Sequence, residues 1–395
     1  MAGDRVREGS NVADPSSDSS LLRILHVVVQ AGPTNSQWNE HCLPVADERQ
    51  LTVCSLFPAT VAGDPRITRL EGDGSLRGAL AVLRRALREG DYDVVHVHAP
   101  ASAALLVAAC ALERRGRCDV VFTLHNSWPN LRPRNRWLAA LAFAAFPVIV
   151  ACSRSAAESV PAPVRRLARH GIDVVPNGVD VDRIDRLPAG HAVDGAAPDR
   201  PRDGVTVATV GRLIPIKDQA TLLAAFARAA GSGDLLVVVG EGPLRPDLEH
   251  QARRLGIAGQ LRLPGLLPRD EVYRVLGEAD LFVSPSLGEG LPLSVLEAGA
   301  SGLPVVLSDI PPHREIVAAM DGTEPVDLVQ VGDVAGLAAA IAHLRDMDRD
   351  ERAALGERNR RMVVDRFSLP SMAGGYHRIY SRMSGRTPSR AQEVA

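Results

Sequence analysis

The chain has 395 residues, of which 46% are hydrophobic and 23% charged, a composition that excludes disordered and fibrous classes. A net charge of −2 removes the electrostatic basis for general nucleic-acid binding. At about 150 residues per domain the length favours two domains, with cores large enough to need neither disulfides nor a structural metal.

Residues 1–20 are rich in Ser, Asp and Gly and read as a disordered leader without an apolar signal segment. From residue 21, short runs of Val, Ile and Leu alternate with amphipathic stretches of helical length. The runs place strands at 23–29, 51–57, 93–98, 119–125, 148–152 and 172–176, with helices at 76–87, 101–112 and 137–146. Residues 183–204 break the pattern with Pro, Gly and Asp and read as a linker between domains 21–182 and 205–366. Beyond it, strands are expected at 205–210, 235–239, 261–263, 280–285 and 304–308, and helices at 219–230, 245–255, 269–276 and 293–300. Near-continuous apolar strands alternating with helices predict an α/β protein of two Rossmann-like, doubly wound parallel sheets facing one cleft. A helix over 367–383 and a flexible tail over 384–395 follow. The most apolar run, 137–152, is about 16 residues with Pro147 inside it, short of the roughly 20 that span a bilayer. Five scattered cysteines without a C-x-x-C pair suit a reducing cytoplasm.

Ligands of open parallel sheets bind beyond the carboxyl ends of the strands, so the loops there carry the chemistry. After strand 205–210 comes Gly211-Arg212-Leu213-Ile214-Pro215-Ile216-Lys217-Asp218 and then a helix. Glycine permits the tight turn, a helix N-terminus favours anions, and Arg212 and Lys217 offer a planar fork and a point charge for phosphate. An ordinary solvated loop is the alternative. Lys217 is the single lysine among 45 basic residues, a bias that GC-rich codons also produce. Gly240-Glu241-Gly242-Pro243 forms a second glycine turn. The third loop runs Ser286-Leu287-Gly288-Glu289-Gly290-Leu291 and enters a helix carrying Glu297. A carboxylate beside a phosphate site is unfavourable unless it binds hydroxyls, which points to a sugar or ribose. Alternatively Glu297 is a dipole-favoured first-turn acid and Glu289 a solvated one.

In the first half, His98 and His125 emerge at strand ends. His96 and His98 share one strand face and could ligate a metal, but the sequence offers no obvious third ligand, so no metal site is assigned. Trp38 and Trp128 fall in cleft-side loops, where stacking on a sugar and plain packing are both open.

These loops together resemble the retaining glycosyltransferases of family four, which have the GT-B fold. The matching residues are Pro176-Asn177-Gly178-Val179-Asp180, Gly211-Arg212-Leu213 with Lys217, and Gly240-Glu241-Gly242-Pro243. They continue with Pro264-Gly265, 279–286, Glu289 through Glu297 as an E-x7-E signature, and 302–306. The resemblance implies transfer of a hexose, with retention, from a UDP- or GDP-sugar to a hydroxyl acceptor, in glycan, polysaccharide or glycolipid synthesis. It assigns Arg212 and Lys217 to the donor pyrophosphate, Glu297 to the ribose and Glu289 to the transferred sugar. Gly211 shapes the phosphate turn, Gly290 and Leu291 offer backbone N–H groups, and His125 sits against the sugar near the reacting centre. The 367–383 helix corresponds to one that crosses back to the first domain.

Two departures stand out. The glycine-rich loop after the first strand reads Gln30-Ala31-Gly32-Pro33-Thr34-Asn35, leaving Gly32 alone, and the usual lysine-glycine is Lys217-Asp218, with Asp218 suited to a helix cap. The Asp-x-Asp pairs 91/93, 180/182 and 346/348 lie where no strand end meets the cleft or inside the crossing motif. Catalysis without a metal or other cofactor is therefore expected, with Arg212, Lys217 and a helix N-terminus stabilising the leaving diphosphate. Retention without an obvious nucleophile suggests front-face departure and attack, a mechanism that comes with the family. The alternatives are a nucleotide-sugar epimerase of the same fold or an inverting transferase, and a catalytically silent nucleotide-sugar binder. Arg132, Arg134 and Arg136 precede an apolar helix, an arrangement that suits either an ordinary surface or peripheral contact with anionic lipid at the inner face of the membrane and a lipid-linked acceptor.

Overall fold

The computed structural model describes residues 21–46, 49–113, 119–187, 204–320 and 328–385. The first sheet contains β1 (Arg23–Val28), β2 (Gln50–Ser55), β3 (Ile67–Glu71), β4 (Val94–Val97), β5 (Val120–Leu124), β6 (Val148–Ala151) and β7 (Ile172–Val174). The second contains β8 (Thr206–Val210), β9 (Leu235–Val239), β10 (Leu261–Gly265), β11 (Leu281–Ser284), β12 (Val305–Ser308) and β13 (Leu328–Val329). Their orders are β3-β2-β1-β4-β5-β6-β7 and β10-β9-β8-β11-β12-β13, and every pairing is parallel. Both sheets reverse direction of winding between their first and fourth strands, the place where such folds open a crevice.

The central strands are apolar on both faces because helices cover both, and β4, β5, β6, β9 and β11 are buried throughout. The two strands without a clear sequence signal lie at sheet edges. In β3, Ile-Thr-Arg-Leu-Glu alternates with charges that pair with one another (Arg69 Nε to Glu71 Oε1, 2.6 Å). β13 is two residues long. Helix Leu76–Glu89 begins at Ser75, whose hydroxyl accepts from the Gly78 amide at 2.9 Å, and buries Ala79, Val82, Leu83, Ala86 and Leu87.

The chain crosses between the sheets twice, and the crossings pair with each other. The Val179 amide donates to the Phe367 carbonyl at 2.8 Å, and the Leu369 amide to the Val179 carbonyl at 3.0 Å. Gly178 lets them approach, since a Cβ there would lie 2.6 Å from the Ser368 carbonyl oxygen. The final helix, Leu369–Ser384, returns to the first sheet. It buries Leu369, Met372, Tyr376, Ile379 and Tyr380 among Ile24, Val94, Val121 and Val148. Five such side chains contribute roughly 10 kcal/mol of gross apolar burial, an upper bound.

Three expectations change. The segment read as a linker from residue 183 begins as the end of helix Val181–Arg186, which Asp180 caps by accepting from the Arg183 amide at 2.9 Å. Residues 188–203, the leader 1–20 and the tail from 386 lie outside the described residues. Trp38 and Trp128 are core rather than stacking platforms. Trp38 is 3% exposed and packs in the cluster beneath the final helix, and Trp128 packs edge-on to Phe143. Trp38 belongs to a buried π-helical turn, Gln37–Cys42, at a position read as loop. Among the described residues no helix is long and apolar enough to cross a membrane.

Candidate active site between the two sheets

The loops after β8, β9 and β11 form one connected surface because their backbones touch. The Gly211 amide donates to the Val239 carbonyl at 2.9 Å, and the Leu213 amide to the Glu241 carbonyl at 3.0 Å. A Cβ on Gly240, whose φ is +141°, would lie 2.0 Å from the Gly211 carbonyl oxygen, and one on Gly242 would lie 2.4 Å from that of Leu213. No side chain fits at either position, so the G-x-G turn is a requirement of backbone packing. The Leu287 amide then donates to the Ile216 carbonyl at 2.8 Å, tying the Glu289 loop to the Lys217 loop.

Lys217 and Glu289 meet in this surface, with Nζ 2.6 Å from Oε1. The same carboxylate oxygen accepts from Ser286 Oγ at 2.7 Å. Below it, Ser308 Oγ donates to the Ser286 carbonyl at 2.6 Å, and the buried His313 contacts Ser308 and Ser284. Burial lowers the His313 imidazole to about 4, so it is neutral at neutral pH. Arg212 is exposed, and its guanidinium has no ion-pair partner among the described residues. Asp218 does not cap the helix that follows. It sits in the left-handed region (φ 47°, ψ 40°) and makes no capping hydrogen bond. That conformation is why glycine is the usual residue there.

Glu297 occupies the second turn of helix Leu293–Ala300, buried to 2% exposure. Its Oε1 is bound by Arg269 Nη1, while Arg269 Nη2 binds Glu40 Oε1 on the π-helical turn of the first domain. Burial is the largest influence on Glu40 and raises its carboxyl to about 8, against the opposing pull of Arg269. One guanidinium thus bridges two acidic side chains, one from each domain. Arg269 opens a helix after β10 and Glu40 lies in a turn without a motif, so neither carries a sequence signal for this role.

The Glu289–Leu291 loop is clasped by the first domain through three successive carbonyls. Glu289 O accepts from Ser127 Oγ (2.6 Å) and Asn130 Nδ2 (3.2 Å), Gly290 O from Ser153 Oγ (2.8 Å), and Leu291 O from Asn177 Nδ2 (2.9 Å). A Cβ on Gly290 would lie 2.2 Å from the His125 carbonyl oxygen, so glycine sets the spacing between the domains here. Glu315 adds a further link, accepting from the Arg154 and Ser155 amides at 2.8 Å each. His125 is thereby brought against the loop of Glu289 and Gly290, as its place after β5 suggested. Gly32 is buried on the other side, in a turn whose carbonyl accepts from the Asn35 amide (3.1 Å) and from Asn39 Nδ2 (3.3 Å).

Behind His125 lies a histidine cluster that no single motif announces. His125 Nε2 is 3.1 Å from His98 Nδ1, and His98 Nε2 is 3.0 Å from His26 Nδ1. His96 contacts Tyr380 Oη at 2.6 Å and Thr123 Oγ1 at 2.7 Å, and His41 stands edge-on to His98 and His125. Burial lowers His125 to about 4 and His26 to about 3, and holds His41, His96 and His98 well below the usual imidazole range. All five are neutral at neutral pH. His26 and His41 sit in a strand and a turn far apart in sequence, which is why the sequence showed only the His96/His98 pair. The Asp-x-Asp pairs serve the scaffold: Asp91 and Asp93 hold Arg23, Asp180 caps its helix, and Asp348 accepts from the Asp350 amide.

Comparison with known proteins matches this arrangement. A family model described as "Glycosyl transferases group 1" covers residues 204–346, and one described as "Glycosyltransferase Family 4" covers residues 50–183. Phosphatidyl-myo-inositol mannosyltransferase of Mycolicibacterium smegmatis is 30% identical over 77% of this chain and 74% of its own. The GDP-mannose:cellobiosyl-diphosphopolyprenol alpha-mannosyltransferase of Komagataeibacter xylinus is 28% identical over 95% and 96%. Among solved structures, Anabaena HepE in complex with UDP and glucose superposes with a TM-score of 0.73 at 18% identity, covering 91% of this chain and all of that one, which supports the GT-B fold. Two parallel sheets of GT-B type, the E-x7-E loop clasped against His125 and these relatives together show that the chain belongs to glycosyltransferase family four and is a glycosyltransferase.

Proposed function

We propose that this protein transfers a hexose, with retention and without a metal, from a UDP- or GDP-sugar to a hydroxyl on a glycan or lipid-linked acceptor in polysaccharide or glycolipid synthesis. The observation that carries the reading is the Lys217–Glu289 pair on a loop whose next residue, Gly290, abuts the His125 carbonyl of the other domain. The donor diphosphate takes Lys217 from Glu289 and is joined by Arg212, whose exposed guanidinium is available. Glu297, held by Arg269 through one oxygen, presents the carboxylate to the ribose. Glu289, freed of the ammonium, orients the transferred sugar, with His125 against it. The bond from the anomeric carbon to the diphosphate breaks first. The acceptor oxygen then bonds to that carbon on the same face, and its proton passes to the departing phosphate oxygen. Two cations and backbone N–H groups stabilise the leaving charge in place of a metal.

A panel of UDP- and GDP-sugars, with product anomers read by NMR, tests the reading. Lys217→Ala should lower kcat/KM about 10³-fold, and EDTA should not lower turnover. Because Lys217 is the only lysine, lysine reagents modify a single side chain, and nucleotide sugar should protect it. Modification indifferent to every donor would remove Lys217 from the site.

The named substrates of the relatives, phosphatidyl-myo-inositol and a diphosphopolyprenol sugar, support a lipid acceptor and peripheral membrane contact. Helix Pro133–Ala145 presents Trp137 at 79% exposure with Leu141 one turn on, beside exposed Arg132 and Arg134. Trp137→Ser combined with charge reversal at the two arginines should abolish co-sedimentation with anionic vesicles, and undiminished binding would move the contact elsewhere.

A further inference from the structure

The histidine cluster contains a site that the transfer reaction does not use. The ligand nitrogens of His41, His98 and His125 all lie within 4.8 Å of one another. The rings come from three separate places: the π-helical turn, the end of β4 and the end of β5. We propose that these three imidazoles bind a divalent transition ion of the zinc or cobalt class, with His26 as the outer partner that fixes the His98 tautomer.

Hydrogen bonding decides among the rings. A second trio, His26, His96 and His98, is equally close. Both nitrogens of His96 are engaged there, by Tyr380 and Thr123, so it has no lone pair to give. His41 differs. It is buried, yet neither of its nitrogens has a hydrogen-bond partner among the described residues; its contacts are with the rings of His98, His125, His96 and Tyr376. His125 Nε2 and His98 Nδ1 are already 3.1 Å apart, close to the roughly 3.4 Å edge of a tetrahedral site with bonds of about 2.1 Å.

The protons balance without an outside base. In the ion-free cluster one proton lies between His98 Nδ1 and His125 Nε2. When an ion takes both of these nitrogens, the ring that carried the shared proton changes tautomer, so that each ring holds its single proton on the other nitrogen. His98 Nε2–H then donates to His26 Nδ1, already at 3.0 Å, the outer-shell arrangement that orients metal-bound histidines. Neutral imidazole, which burial enforces here, is the form that ligates. Three nitrogen donors with no thiolate or carboxylate select zinc, cobalt, nickel or copper over calcium and magnesium. His26 and His41 also line a cavity of about 820 Å³ between the π-helical turn and the final helix, which gives an ion a route inward. A fourth position stays open. An ion on His125 holds that ring away from the transferred sugar, so the site makes the enzyme metal-inhibited; this consequence rests on the proposed transfer, whereas the binding does not.

The test uses the full chain freed of metal with EDTA and titrated with Co²⁺. One equivalent should bind with the visible absorption of a tetrahedral centre. His41→Gln should weaken binding at least 100-fold, and His26→Gln about 10-fold or more. His343→Gln, on a helix outside the cluster, should change nothing. X-ray absorption of the zinc-loaded wild type needs no variant and should show an imidazole-dominated shell. Absence of one-equivalent binding, binding indifferent to His41→Gln in a folded variant, or a shell of carboxylate or thiolate would overturn the site. In turnover assays, Zn²⁺ should inhibit the wild type and spare His41→Gln. If no sugar donor turns over, the Co²⁺ titration still reads the site by itself.

Discussion

The two sides of the cleft are built from different materials. On the second domain, the loops after β8 and β9 are locked by glycines whose missing side chains let carbonyl oxygens pass within 2.0 to 2.4 Å of where a Cβ would be, and the loop after β11 is tied to them by a backbone hydrogen bond. On the first domain, the cleft wall is a packing of imidazole and phenol rings from β1, a π-helical turn, β4, β5 and the final helix. Backbone-locked loops keep their shape whatever surrounds them. A side-chain wall depends on the charge state and seating of every ring in it.

Gly290 is where the backbone-built side meets the other. Gly290→Ala should cost about 100-fold in kcat/KM or more, because the Cβ would press on the His125 carbonyl and the domains would separate to relieve it. Thermal stability should fall far less than activity, and scattering should report a wider molecule; a fully active variant would show that the contact is not needed for turnover.

Acid should act on the ring-built side. His26 and His125, at about 3 and 4 in the folded state, lie below the ordinary imidazole value of 6.5. The unfolded chain therefore takes up protons that the folded one refuses, so stability is complete above pH 7 and is lost as pH falls from 6.5 toward 4. Each fully buried imidazole should cost about 1 kcal/mol between pH 7.5 and 5.5. Urea unfolding at the two values measures this, and His313→Gln on the second domain should remove only its own share. Equal stability at both values would mean that protons reach the cluster without unfolding it.

The smallest effect concerns Asp218, the one non-glycine residue with positive φ among the described residues. Asp218→Gly should raise stability by about 0.5 kcal/mol, since the relief of left-handed strain outweighs the added freedom of the unfolded chain. A destabilised variant would assign the Asp218 carboxylate a contact of its own.

The same contrast explains what was legible in the sequence. Gly211, Gly240, Gly242, Gly290 and the E-x7-E spacing stand in short contiguous motifs, so they are visible in the sequence even though the carbonyls that require glycine at 240 and 290 lie 29 and 165 positions away. The Rossmann-like alternation was legible for the same reason, except in the edge strand β3, where charges on one open side break the apolar run. Arg269 meets Glu40 across 229 positions, and His96 meets Tyr380 across 284. Such pairings are set by topology alone, and the identity of one partner says nothing of the other. Asn177 is intermediate: it stood in a recognisable motif, yet its bond to the Leu291 carbonyl appears only once the domains meet.

The final helix has a consequence for how the protein is made. It supplies one face of the first domain's core, but Leu369 is synthesised 195 residues after Val174 closes that domain's sheet. At about 5–20 residues per second, the ribosome leaves that face uncovered for roughly 10 to 40 s. The first domain therefore cannot finish folding in order of synthesis. It waits, with an apolar surface open, for nearly the whole second domain to be translated, and chaperone demand should peak in that interval.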